Sequence, residues 1–348
     1  MPERFPTILD DTAFAFPVAR IRVLETKLLD RQRFERMLDA ADAAEVYRIL
    51  AETEYAEALA GSDDPNAFEQ VLGAEFRRVY QYLGKFVTEK AVLDSLLLRY
   101  DFHNLKVMCK QRLLGEEPSE GSLFQVGTEP AYALSEGVSA VLDGKPHAMP
   151  EQYAEAVREA KALYGKSLDP QQIDIAIDRR LFAFGSKMAQ ESKSEMFIDL
   201  WQAWVDLANF RSFARAAARG RDISFLAQVL LEGGTLGQKS FLDIYKPSTD
   251  AMDGLVALGN RTRYRNVVFS GLGSFKSTRS FTLFEKLSDN FTLSLLDPSK
   301  RISLGLEPVV AYLLAKENEI RNLRIILTGK INRLPVESIR ERLRDVYV

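Results

Sequence analysis

Three eight-residue stretches of this chain share one pattern: "DFHNLKVM" at 101–108, "DLANFRSF" at 206–213 and "EIRNLRII" at 319–326. Each reads acid, apolar, any residue, Asn, apolar, base, any residue, apolar. In two copies an acid, Glu89 or Glu307, also stands 15 residues before the Asn and precedes an apolar helix. With the copies spaced 105 and 113 residues apart, the chain reads as three related units, 13–115, 116–220 and 221–348, the same helix recurring in each. That period is longer than in ordinary solenoid repeats. Three such units suggest a pseudo-threefold assembly, not a rod.

At about 100° per residue, Phe102, Met108 and Cys109 lie within about 60° of Leu105 and form a core stripe. The equivalent positions, Leu207, Phe210, Phe213 and Ala214, then Ile320, Leu323, Ile326 and Leu327, are apolar too. Asn104 and Lys106 fall on opposite shoulders. Asp101 is three residues before Asn104, where a carboxylate and an amide can hydrogen-bond. The pairing recurs as Asp206–Asn209 and Glu319–Asn322. Asn is a mediocre helix former, so its recurrence needs a reason. The expectation is that each acid–Asn pair ties a helix shoulder to its neighbour, a structural role and not a site.

Helical periodicity covers most of the rest. It predicts helices over 32–52 with Asp30 as cap, 66–87 opened by Pro65 and Asn66, 150–165, 171–190 and 193–220 ended by Gly220. The last runs from Glu307 to about Thr328, with Pro308 in its first turn and Gly329 at its end. The best strand signal is "RNVVFSG" at 265–271, and loops are expected at 115–122, 143–150, 232–248 and 270–280. The fold class is all-α.

The chain is 348 residues long with a net charge of −3, so it has no overall basic field for nucleic acid. Its one cysteine, Cys109, excludes an internal disulfide and fits a reducing compartment. The apolar run "PVVAYLLA" at 308–315 is far below the ~18 residues that span a bilayer. The N-terminus is acidic without a signal-peptide core, which points to the cytoplasm. Phosphate-loop lookalikes fail on spacing: "YGKS" (164–167) has Ala160 where a Gly is needed, "GGTLGQKS" inserts Gln238, and "GLGSFKST" has Phe275. Their glycines read as surface loops. His103, opposite the core stripe, reads as exposed and His147 as a loop residue, with no ligand-spaced cluster. Asp63–Asp64 and Glu116–Glu117 read as solvated loop charge. No catalytic, cofactor or metal site is expected.

Arg211, Arg215 and Arg219 follow at four-residue steps with Arg221 just beyond, and no acid interrupts 211–221. One reading is a solvated face complementing a helix C-terminus. The other is a docking surface for an acidic protein. "NRTRYRN" (260–266) is a second basic loop and "SIRERLRDVYV" (338–348) an amphipathic tail.

"GLEPVVAYLLAKENEIRNLRIILTGK" (305–330) closely resembles the C-terminal signature of the C subunit of bacterial and archaeal V/A-type ATPases, related to the eukaryotic d subunit. "LLLRYDFHNLKVMCKQRLLG" (96–115) resembles the first-repeat signature, and "ARIRVLETKLLD" (19–30) with "ILAETEYAEALAG" (49–61) the N-terminal region. Residues 1–12 depart from the resemblance and are expected to be a disordered extension. The resemblance implies three similar helical subdomains arranged as a funnel. It implies a non-catalytic component of a rotary proton (or sodium) pump or ATP synthase, peripheral on the cytoplasmic side of the membrane. There it would seat the central shaft, made of the D and F subunits, on the membrane proteolipid ring. Matching signature residues are Asp101, Asn104, Lys106, Asp206, Asn209, Arg211, Glu319, Asn322 and Arg324, with Gly305, Glu307, Pro308, Tyr312 and Lys316 in the last unit. Arg211, Arg215 and Arg219 are candidates for the shaft contact. The rival readings are a soluble helical adaptor unconnected with a membrane complex, and a nucleotide enzyme using Lys166.

Overall fold

The computed structural model describes residues 11–61, 64–87, 90–116, 123–245 and 251–348. Residues 1–10 of the expected extension, Asp63, Glu89 and Glu117 lie outside them. Among the described residues all regular structure is helical. In chain order the helices are α1 (Ala15–Glu25), α2 (Arg31–Asp39), α3 (Ala43–Leu50), α4 (Ala56–Leu59), α5 (Phe68–Leu83), α6 (Lys90–Leu114), α7 (Ala131–Asp143), α8 (Glu151–Ser167) and α9 (Gln171–Ser192). They continue with α10 (Glu195–Ala218), α11 (Ile223–Val229), α12 (Gln238–Leu242), α13 (Ala251–Gly259), α14 (Arg265–Thr278), α15 (Thr282–Ser294), α16 (Glu307–Ile331) and α17 (Val336–Arg340). Contacts divide the chain into two units, one of Met1–Lys90 with Asn266–Val348, the other of Ala91–Arg265.

In the first unit α16 packs against α1, α3, α5 and α17. Every residue from Pro308 through Lys316 is buried. A helix with no polar face can only be interior, so this sequence makes α16 the unit's axis. In the second unit α10 has that place, packed on α9, α11 and α13, with Trp201, Phe210 and Phe213 fully buried. The predicted core stripes of all three repeat helices are buried, including Phe102, Leu105 and Cys109 of α6. No described helix is long and apolar enough to cross a membrane.

The local signals work as side-chain caps. Asp30 accepts from the Arg33 N–H at 2.9 Å, and Ser194 caps α10 through the Phe197 N–H at 3.4 Å. The helix expected over 32–52 is instead two, because Asp42 caps α3 by accepting from the Glu45 N–H at 2.8 Å. "RNVVFSG" is not a strand but the start of α14, where Val267, Val268, Gly271, Leu272 and Phe275 bury one helical face. That spacing, three to four residues apart, outweighs the β-branched pair. Helix therefore runs through most of the expected 270–280 loop, and Gly271 gives room for the Phe284 backbone. "YGKS" is likewise helical, the last turn of α8, and Leu168 makes the left-handed turn after it at φ 54°. Helix α16 passes beyond Gly329, whose missing side chain admits Ile339, and the left-handed residue is Arg333 at φ 53°. The expected amphipathic tail is helical only in α17.

Gly185 on α9 faces the Trp201 ring so closely that a methyl group there would clash. Gly185→Ala should therefore destabilise the protein by about 1–3 kcal/mol through overpacking. Gly165→Ala, exposed on α8 with nothing nearby, should stabilise it by about 0.5–1 kcal/mol. Denaturant unfolding of the two variants checks the contrast.

Candidate functional site

The acids and asparagines of the repeat sit on the helices that make the cores, so each is buried and must find a partner. The three asparagines find the same one. Asn104 donates from Nδ2 to the Phe124 carbonyl at 2.9 Å, and its Oδ1 accepts from the Phe124 N–H at 2.9 Å. Asn209 grips Leu231 in the same two-bond fashion at 2.9 and 2.8 Å. Asn322 grips Arg344 at 3.1 and 2.8 Å. An amide side chain matches both groups of one peptide residue, as a neighbouring strand would. Each asparagine thus pins the chain 20 or 22 residues downstream to its own helix.

The acids do not bond to these asparagines, contrary to the expected pairing; Asp101 and Asp206 hold the next part of the same loops. Asp101 accepts from the Thr128 N–H at 2.9 Å, the Thr128 hydroxyl at 2.7 Å and the Tyr153 hydroxyl at 2.9 Å. Asp206 accepts from the Thr235 N–H at 3.0 Å, the Thr235 hydroxyl and the Tyr264 hydroxyl at 2.8 Å. A side chain at Gly127 or Gly234 would strike the carboxylate of Asp101 or Asp206, so both loops approach as Gly-Thr. Burial pushes the Asp101 carboxyl above its usual range, opposed by its hydrogen bonds from Thr128 and Tyr153. Burial, reinforced by the facing carboxylate, pushes the Tyr153 and Tyr264 hydroxyls up.

The third lock is closed by the N-terminal part of the chain. Glu319 accepts from the Leu29 N–H at 2.6 Å and the Tyr55 hydroxyl at 2.8 Å. Gly-Thr is absent here, and the acid is one methylene longer. A buried ion network accompanies it: Lys316 contacts Glu319 at 2.6 Å and Glu75 at 2.9 Å, and Arg78 forks onto Glu75 at 2.7 and 3.0 Å. Lys316 and Glu75 are at most 2% exposed. Burial disfavours the Lys316 charge, but Glu319 and Glu75 outweigh it and hold the ammonium above the usual lysine range. Tyr312, also buried, has its hydroxyl pushed up by burial and these carboxylates. Gly305 takes φ 115° before α16, with Glu307 and Pro308 in the first turn.

The repeat's bases lie further out. Lys106 pairs with Asp178 at 2.8 Å, and Arg324 forks onto Glu69 at 2.6 and 2.9 Å. Arg211 lines a groove of 410 Å³ walled by α9, α10 and α11 within the second unit. Arg215 and Arg219 line it as well, as do Arg179 and Arg221, and the Arg221 guanidinium lies 5.0 Å over the Phe225 ring. The arginine stripe therefore faces a concavity and not open solvent alone. His103 is half-buried instead of exposed, its ring 4.7 Å from Phe124 on the clamped loop. His147 is a loop residue against the Met149 carbonyl. Among the described residues no cluster of His, Cys, Asp or Glu could hold a metal ion.

The sequence pattern missed the receiving ends of the locks: Gly127–Thr128, Gly234–Thr235, Tyr153, Tyr264 and Tyr55. The repeated Gly-Thr dipeptide was the available signal. Asn209→Ala would leave the buried N–H and C=O of Leu231 unpaired, and should cost about 2–4 kcal/mol in denaturant unfolding. Lys316→Met would leave the buried Glu319 carboxylate without its lysine and Glu75 with Arg78 alone, and should cost about 3–5 kcal/mol. Because the Lys316 pKa is raised on folding, its contribution is complete below about pH 10.4 and lost only above it. The variant's stability should therefore fall less steeply than the parent's on titration beyond that pH.

Residues 17–342 match the model of the ATP synthase (C/AC39) subunit family. The chain is 24% identical over 327 residues to the C subunit of the V-type sodium ATPase of Enterococcus hirae, covering 94% of this chain and 97% of that one. It is 24% identical to the C subunit of the A-type ATP synthase of Methanocaldococcus jannaschii, over 97% of this chain and 87% of its relative. For the corresponding A-type ATP synthase C subunit of Thermococcus kodakarensis the identity is 21%, over 96% and 91%. With the match reaching nearly from end to end, the chain belongs to the ATP synthase (C/AC39) subunit family.

Proposed function

We propose that the chain is a non-catalytic rotor component of a V/A-type rotary ATPase or ATP synthase. It serves as the socket that couples the central shaft, made of the D and F subunits, to the membrane proteolipid ring during proton (or sodium) transport. Three similar helical subdomains form the funnel, and the protein sits peripherally on the cytoplasmic face of the membrane through the complex. The observation that carries this reading is the fate of the signature acids and asparagines. Asp101, Asn104, Asp206, Asn209, Glu319 and Asn322 are at most 4% exposed, and all are engaged in holding the chain's own loops. Such residues stiffen a body; they are not available to a substrate. A torque-bearing part needs this property, since close-packed interiors resist deformation. The relatives' shared naming as C subunits supports the same reading. The arginines Arg211, Arg215 and Arg219 form part of the shaft contact, a polar and salt-sensitive surface suited to reversible assembly.

Pull-down of the tagged chain from mild-detergent extracts of its own cells' membranes tests this. Recovery of the proteolipid together with the A, B, D and F subunits is expected. A chain that stays in the soluble fraction with none of them would return the adaptor reading. The double variant Arg215→Glu/Arg219→Glu should recover at least about tenfold less of D and F at low salt, in line with close charge pairs worth about 1.4 kcal/mol or more.

A further inference from the structure

The groove on the second unit has more than charge. Its lining carries six cations, Lys106, Arg179, Arg211, Arg215, Arg219 and Arg221, against two carboxylates, Asp174 and Asp178. The protein as a whole has a net charge of −3, so this positive groove is a local construction. Arg211 and Arg215 on α10 and Arg219 at its C-terminal cap follow one i±4 row, and Ala208, Ser212 and Ala216 form the next row beside it. Rows at that interval are the ridges and furrows through which helices pack on one another. Three arginines at about 1.5 Å rise per residue span about 12 Å, or a little over two turns of a facing helix.

We infer that this groove is a docking track for an acidic α-helix of a partner protein, whose carboxylates recur every four residues. The inference rests on reading the groove as a partner contact, as proposed above, and specifies what that partner presents. The acidic ridge drops beside the arginine row, each carboxylate forked by a guanidinium, while the small side chains leave room for the partner's backbone to approach. The track ends at the C-terminus of α10, which is the negative end of that helix. An occupant running antiparallel to α10 brings its own positive N-terminus there, and its acid-rich first turns meet Arg215, Arg219 and Arg221. Arg221, lying over Phe225, closes that end of the track.

The test uses the full-length chain and two fluorescent, helix-constrained peptides of identical composition. One carries Glu at positions i, i+4 and i+8; the other has the same three residues spread round the helix. Anisotropy titrations at low salt should give at least tenfold tighter binding for the first, and the difference should shrink as salt rises. Arg215→Gln/Arg219→Gln should remove the preference, while Lys239→Glu, exposed and outside the groove, should leave it intact. Circular dichroism of each variant guards against unfolding. Equal affinity for both peptides, or none for either, overturns the inference. So does inorganic tripolyphosphate displacing both peptides equally well, which would mark a general anion site. Failure of the membrane pull-down alongside clear peptide discrimination sinks the rotary role and leaves the track standing. Co-purification without discrimination does the reverse.

Discussion

A loop that crosses a packed helix must place its own N–H and C=O groups somewhere, and here three asparagine side chains receive them. Each offers one donor and one acceptor at the spacing of a peptide group, so a single residue of the loop is held as if by a strand. The rest follows from that grip. Once Phe124 or Leu231 is fixed, the next few residues lie across the same helix. The Gly-Thr step then delivers its N–H and hydroxyl to the acid one turn earlier. A tyrosine further along the chain, Tyr153 on α8 or Tyr264 just before α14, adds its hydroxyl to the same carboxylate. Helices α10 and α16 are each both the hydrophobic axis of their unit and the polar anchor of a loop, which is why they tolerate an otherwise poor helix former at their middle.

The helices and their cores were legible because apolar spacing and capping act locally. Asp30, Ser194 and the stripes around Leu105, Phe210 and Leu323 behave as their neighbours in sequence dictate. The repeated asparagine was legible as an anomaly, and its structural role followed from that. Its partner was not, because an i, i+3 neighbour is visible in sequence whereas a loop 20 residues away is not. "RNVVFSG" was misread because β-branched residues favour strands only until a helical face is offered for burial. The arginine row was visible as a stripe. That it borders a groove depends on α11 folding back beside α9 and α10, which no local pattern declares.

The third lock shows how the same device copes with different materials. Leu28–Leu29 replaces Gly-Thr and supplies a backbone N–H but no hydroxyl, so Glu319 has fewer neutral donors than its counterparts. Lys316 makes up the difference with a full charge, and once a lysine is buried there Glu75 and Arg78 follow to balance it. Replacing such a network by apolar residues is often neutral or stabilising, whereas removing one member is not. The cluster is thus interdependent more than it is strong, and it joins α5 to α16 through opposed charges.

The partners of the locks lie at unequal distances along the chain, and this bears on how the protein is made. Asp101 and Asp206 meet their threonines 27 and 29 residues later, soon after those segments leave the ribosome. Tyr55 and Leu29 must wait for Glu319, which is 264 and 290 residues away. At about 5–20 residues per second that interval is about 13 to 58 seconds. Throughout it the first five helices exist as a nascent segment without their axis, their apolar faces uncovered, while the middle of the chain can already close. The same arrangement that joins α1–α5 to α16 makes these helices, though synthesised before α16, complete only once α16 has been made.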